Sequence, residues 1–95
     1  MEGRKAIVIL QRGFVWVGEV YTDPTNSLFF VLKKGATVRR WGTSKGLGQL
    51  AAEGPKSNTV LDLHETESRF TLLSYIGEIE CGPAWDKWFA KREDA

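Results

Sequence analysis

Residues 14–21, Phe-Val-Trp-Val-Gly-Glu-Val-Tyr, constrain the fold more than any other stretch. In an extended strand Phe14, Trp16, Gly18 and Val20 share one face, and Val15, Val17, Glu19 and Tyr21 share the other. Apolar side chains on both faces require a strand covered on both sides, or a sheet curved strongly enough to supply the cover itself. Gly18 at the centre eases such curvature or admits a bulge. Residues 5–11 have the same character, and Arg12-Gly13 separates the two runs, so together they predict a hairpin.

The rest of the chain repeats this rhythm. Asp23-Pro24-Thr25-Asn26-Ser27 is a turn cluster, with Pro24 able to preset one turn position. A third strand is expected over Leu28–Lys33, a turn at Lys34-Gly35, and a fourth strand over Thr37–Trp41. Thr59–Leu63, Arg69–Leu73 and Tyr75–Cys81 read as a fifth, sixth and seventh. Short strands punctuated so regularly predict a mainly β fold, a small antiparallel barrel or sandwich of SH3-like or OB-like size. One short inserted helix is expected near 45–53 and a second near 83–91, where Pro83 can open it without losing a needed N–H. Ile7, Ile9, Trp16, Phe30, Val38, Leu47, Leu50, Leu61, Phe70 and Ile79 are the core candidates. Lys91-Arg92-Glu93-Asp94-Ala95 reads as a frayed tail.

At 95 residues the chain makes one domain, 1–95, and 42% hydrophobic content is that of a folded rather than a disordered chain. Thirteen basic against twelve acidic residues leave a net charge of +1, without the basic excess of a dedicated duplex-DNA binder. Any anion site must therefore be local. A single cysteine, Cys81, excludes an internal disulfide and a cysteine-rich zinc site. The apolar run Ala6–Ile9, with Leu10 at its edge, is too short for a signal-peptide core or a membrane span, so a cytoplasmic protein is expected.

Residues 39–55 carry the chemistry. Arg39, Arg40 and Lys45 converge with Trp41 and with Gly42, Gly46 and Gly48 on the start of the inserted helix. Thr43 or Ser44 is the expected N-cap, Leu47, Leu50 and Ala51 form one buried face, and Gly54-Pro55 is a stop signal. A helix N-terminus suits an anion, arginine and hydroxyl donors suit phosphate, and an indole can stack on a flat ring. The ligand-binding candidates are thus Arg39, Arg40, Trp41, Thr43, Ser44, Lys45 and Gly46, for a phosphate-containing small molecule such as a cyclic nucleotide. One arginine is expected to face away, since adjacent strand residues point to opposite sides. The competing reading makes the block a plain strand-to-helix connection, with one arginine solvated or paired with Glu53 and Trp41 a core indole. Gly46-Leu47-Gly48-Gln49-Leu50-Ala51 matches the dinucleotide-binding fingerprint in letters, but the parallel βαβ context that fingerprint needs is missing.

The block, followed by Gly54-Pro55 and Thr59-Val60-Leu61-Asp62, resembles a family of small phage and prophage proteins with the pattern R-x-W-G-T-x-x-G-L-G-x-L-A, then G-P and T-x-L-D. An upstream R-G-x-V-x-V-G is matched by Arg12–Gly18, so the resemblance spans about two thirds of the chain. It implies a viral origin and a location in the host cytoplasm rather than a particular activity. Trp85, Trp88 and Phe89 lie outside the shared pattern.

Catalysis finds little support. His64 between Asp62 and Glu65 reads as a surface residue, Cys81 as a small buried one, and Asp62, Glu65 and Glu67 as a solvated run. No catalytic or metal-binding set is predicted, and no cofactor. Trp85, Trp88 and Phe89 at i, i+3, i+4 form a stripe that packs as a lid or meets another copy in a homo-oligomer. Three non-enzymatic functions follow: a binder that sequesters a host cyclic-nucleotide defence signal, a protein–protein inhibitor or viral accessory module, and a single-stranded nucleic-acid binder.

Overall fold

The computed structural model describes residues 2–93. Its first hairpin is the expected one: β1 (Arg4–Leu10) pairs antiparallel with β2 (Val15–Thr22), from Arg4 opposite Val20 to Ile9 opposite Val15. Arg12 and Gly13 both take positive φ, 65° and 78°, in the short 3-10 turn between them. The chain then forms β3 (Phe29–Arg40), α1 (Leu47–Glu53), β4 (Val60–Leu63), β5 (Ser68–Thr71), β6 (Tyr75–Glu80) and α2 (Asp86–Glu93). Among the described residues these six strands make one antiparallel sheet in the order β4-β3-β2-β1-β6, and β5 pairs with the first half of β3.

Register explains why both faces of the central strands are apolar. Residues directly opposite one another share a face, so Ile79, Ile7, Val17, Ala36 and Leu63 form one row across five strands. Helices α1 and α2 cover much of that convex face, and Ile7, Val17 and Ala36 are buried against Leu50, Ala51, Trp85 and Phe89. The opposite row, Glu78, Val8, Trp16, Thr37 and Asp62, lies on the concave face. There the sheet curls over its own apolar side chains, Ala6, Val8, Leu10, Val20, Phe30 and Leu32. Phe30 meets Phe70 of β5 and Tyr75 of β6 at centroid distances of 5.4 and 5.8 Å, so side chains close the barrel where no strand ladder does among the described residues.

Several boundaries differ from expectation. The third and fourth strands are one long strand, because Lys34-Gly35 makes a bulge rather than a turn: Val17 faces Ala36 but Glu19 faces Lys33, leaving two residues opposite Gly18. A Cβ on Gly18 would stand 3.2 Å from the Gly35 Cα, so this close backbone approach favours glycine. Lys34 sits at a φ of 53° in the bulge. The expected sixth strand stops at Thr71, and Leu72–Ser74 form a 3-10 turn that carries the chain across the barrel end into β6.

The 83–91 helix opens as a 3-10 turn, Pro83–Trp85, and its α-helical part runs on through Glu93. Residues 91–93 are therefore helical rather than frayed; Asp94 and Ala95 lie outside the described residues. Of the core candidates, Ile7, Phe30, Val38 and Leu50 are buried, and Ile9, Trp16, Leu47, Leu61, Phe70 and Ile79 are half-buried at the core margin.

Candidate functional site

The 39–46 block leaves β3 and crosses to α1 through a loop whose shape is held from several directions. Gly42 has a φ of 72°, and a Cβ there would lie 2.3 Å from the Thr59 amide nitrogen, so no other residue fits. The Thr59 hydroxyl donates to the Trp41 carbonyl at 2.6 Å and accepts from the Lys56 amide at 2.8 Å. On the helix side, the Thr43 hydroxyl donates to the Gly46 carbonyl at 2.7 Å, and the Lys45 amide donates to the Gln49 side chain at 2.7 Å.

The N-cap is consequently Gly46, at φ 83°, and not Thr43 or Ser44. Thr43 turns its oxygen to a carbonyl rather than a helical N–H, and Ser44 stands 3.4 Å from Gln49 Oε1. Gln49 is the residue the sequence reading missed. Its position three after Gly46 is capping-box spacing, and its side chain reaches back to the amide just before the cap. The stop signal works as expected in one respect: Gly54 takes a φ of 82° and its N–H caps the Leu50 carbonyl at 3.0 Å.

The candidates separate into three groups. Arg39 extends to Asp62 on the neighbouring β4, 2.8 Å away and exposed, so the partner expected in Glu53 is replaced by one across the sheet. Glu53 instead pairs with Lys56 at 3.0 Å; hydrogen bonds from Lys56 and Gln49 hold its carboxyl below the ordinary glutamate range. Thr43, Ser44 and Gly46 build the loop. Arg40 and Lys45 have exposed side chains with no hydrogen-bond or ion-pair partner among the described residues. Trp41, between them in the chain, is 43% exposed, with its ring edge against Gly46. Trp41 is thus not the core indole of the competing reading.

This surface is open. Two cavities of about 460 and 540 Å³ lie away from it, the first between Lys33, Lys34, His64, Thr66 and Arg92, the second between Glu2, Tyr21, Thr22, Pro24 and Val31, with Lys33 and Glu67 lining both. His64 is not a free surface residue. Its ring stacks on Trp16 at 4.3 Å, its Nε2 lies 2.8 Å from the Thr37 hydroxyl, and its carbonyl accepts from Arg92 at 2.7 Å. Burial pushes the Cys81 thiol up to about 12, so the sulfur stays protonated at neutral pH.

Comparison with known protein families, with curated proteins and with solved structures finds no match. The resemblance to phage proteins rests on the motif residues alone.

Proposed function

We propose that this chain is a non-enzymatic binding protein, and that its 39–46 block takes a phosphate-bearing ligand with a flat ring, a nucleotide by its chemistry. One observation carries this reading: Trp41 is held half-exposed on a loop shaped by glycine geometry and side-chain hydrogen bonds, in a block that also exposes two cations, Arg40 and Lys45, with no hydrogen-bond or ion-pair partner among the described residues. A rigid indole offers a stacking face at little entropic cost, and Arg40 and Lys45 supply charge for phosphate. The resemblance to phage proteins favours a host cyclic-nucleotide signal as the ligand, sequestered rather than turned over. Because the platform is open rather than enclosed, it also suits a single strand passing across it, the second nucleotide-based reading.

Calorimetric titration with cyclic di- and oligonucleotides and with short single strands tests both. Trp41→Ala is expected to cost about 1–3 kcal/mol of binding, the usual worth of a base stacked on an aromatic ring. Arg40→Ala is expected to cost about 1.5–3 kcal/mol, as loss of a charge-assisted hydrogen bond does. Lys45→Ala should cost less and chiefly change the salt dependence. Absence of binding across the whole panel would remove the nucleotide reading and leave the protein-inhibitor one.

A further inference from the structure

The end of the barrel where β5 and β6 approach each other exposes large apolar side chains from four separate segments: Phe14, Leu28, Leu72, Leu73 and Ile76. Hydrogen bonds draw these segments together. The Leu72 amide donates to the Leu28 carbonyl at 2.8 Å, and the Gln11 side chain, in the turn that leads to Phe14, donates to the Leu73 carbonyl at 2.8 Å. Tyr75, next to Ile76, pairs with Leu10, whose amide donates to the Phe14 carbonyl at 2.8 Å. Leu73 is 85% exposed, the most of the five.

We propose that this seam is the interface of a homodimer, with a second copy of the chain seated on it about a two-fold axis. Together the five side chains leave on the order of 500 Å² in water, the size of the largest patches on monomers, many of them functional. Covering that area on both copies removes roughly 1,000 Å², the threshold of a specific interface.

Charge selects the occupant. A different protein partner is commonly specified by complementary charges, whereas a two-fold contact sets each patch against its own copy and tolerates few like charges. The five side chains carry none, and of the turn residues beside them, Gln11, Arg12 and Ser74, only Arg12 is charged. Further along β6, the exposed Glu80 opposes strand-to-strand pairing of two edges, so the contact is between side chains. The C-terminal stripe does not compete for this role, since Trp85 and Phe89 are buried within the molecule.

Sedimentation equilibrium of the full chain tests the proposal. The wild type should be a dimer at micromolar concentration. Leu73→Asp, at a position whose exposure leaves folding unaffected, should raise the dissociation constant by about 100-fold or more, as loss of a central apolar anchor does. Leu28→Asp should act in the same direction, and circular dichroism should show both variants folded. A wild type that stays monomeric at high micromolar concentration overturns the proposal. So does a dimer whose dissociation constant neither substitution changes.

Discussion

Two tryptophan neighbourhoods in this protein share a composition and differ in fate. In the C-terminal lid Trp85 is fully buried, its indole N–H donates to the Leu50 carbonyl at 2.8 Å, and Trp88 and Phe89 pack edge-to-face at 4.8 Å. In the 39–46 loop Trp41 is nearly half exposed although side-chain hydrogen bonds from Thr43 and Thr59 hold the backbone around it. The difference is what lies opposite. The lid folds onto a convex sheet face whose Ile7, Val17 and Ala36 need cover, whereas Trp41 follows β3 beyond its last paired residue, Arg40. Aromatic content therefore identifies an element that must pack only where apolar surface faces it; elsewhere it leaves a platform.

Substitutions on the two sides of this contrast have different expected costs. The largest effect is expected from Trp85→Ala, which should destabilise the domain by about 3–5 kcal/mol in urea unfolding, as a buried large-to-small change does. Gly42→Ala should come second, at roughly 2–3 kcal/mol, because a Cβ collides with backbone at a positive φ. A loss below about 0.5 kcal/mol would mean the loop yields easily, and the rigidity assigned to the platform would fall.

A half-buried polar cluster provides a third measure. Arg4 donates twice to Glu78, at 2.6 and 2.7 Å, and the Tyr75 hydroxyl donates to the same carboxylate at 2.9 Å. The hydrogen bonds from Arg4 hold the Glu78 carboxyl below the ordinary glutamate value of 4.5. A depressed folded-state value means the stabilisation is present above the unfolded pKa and is lost as pH falls through the folded one. Glu78→Gln should thus cost about 1–2 kcal/mol at neutral pH, and the deficit should narrow in acid below the ordinary glutamate value. A deficit unchanged down to the acid transition would contradict the linkage. The smallest effect on stability is expected from Trp41→Ala, under about 1 kcal/mol, since its ring already meets water. A loss matching that of Trp85→Ala would erase the distinction between lid and platform.

Much of the fold follows from short-range rules. Alternation in residues 14–21, the glycine after Arg12, the Asp23–Ser27 cluster and the i, i+3, i+4 spacing of Trp85, Trp88 and Phe89 each act within one turn or strand. The turn cluster forms as expected, with the Thr25 amide and hydroxyl both donating to Asp23, at 2.9 and 2.8 Å. Such features depend on neighbours a few residues away, so the linear chain displays them. Of the site, the exposed indole and its cations were legible as residue types, while their exposure was not.

Tertiary structure decided whatever depends on partners distant in sequence. Lys34-Gly35 looks like a turn locally and becomes a bulge because Gly18 faces it across the sheet. Arg39 finds Asp62, and His64 finds Trp16 and Thr37, only once β4 lies beside β3. The N-cap moved to Gly46 because Thr43 turns its hydroxyl to the Gly46 carbonyl, within a loop whose shape Thr59 and Gly42 together set. Local propensity names the residues able to play each part. Which of them does so is settled by the few ångströms that separate strands, and no window of neighbouring residues contains that distance.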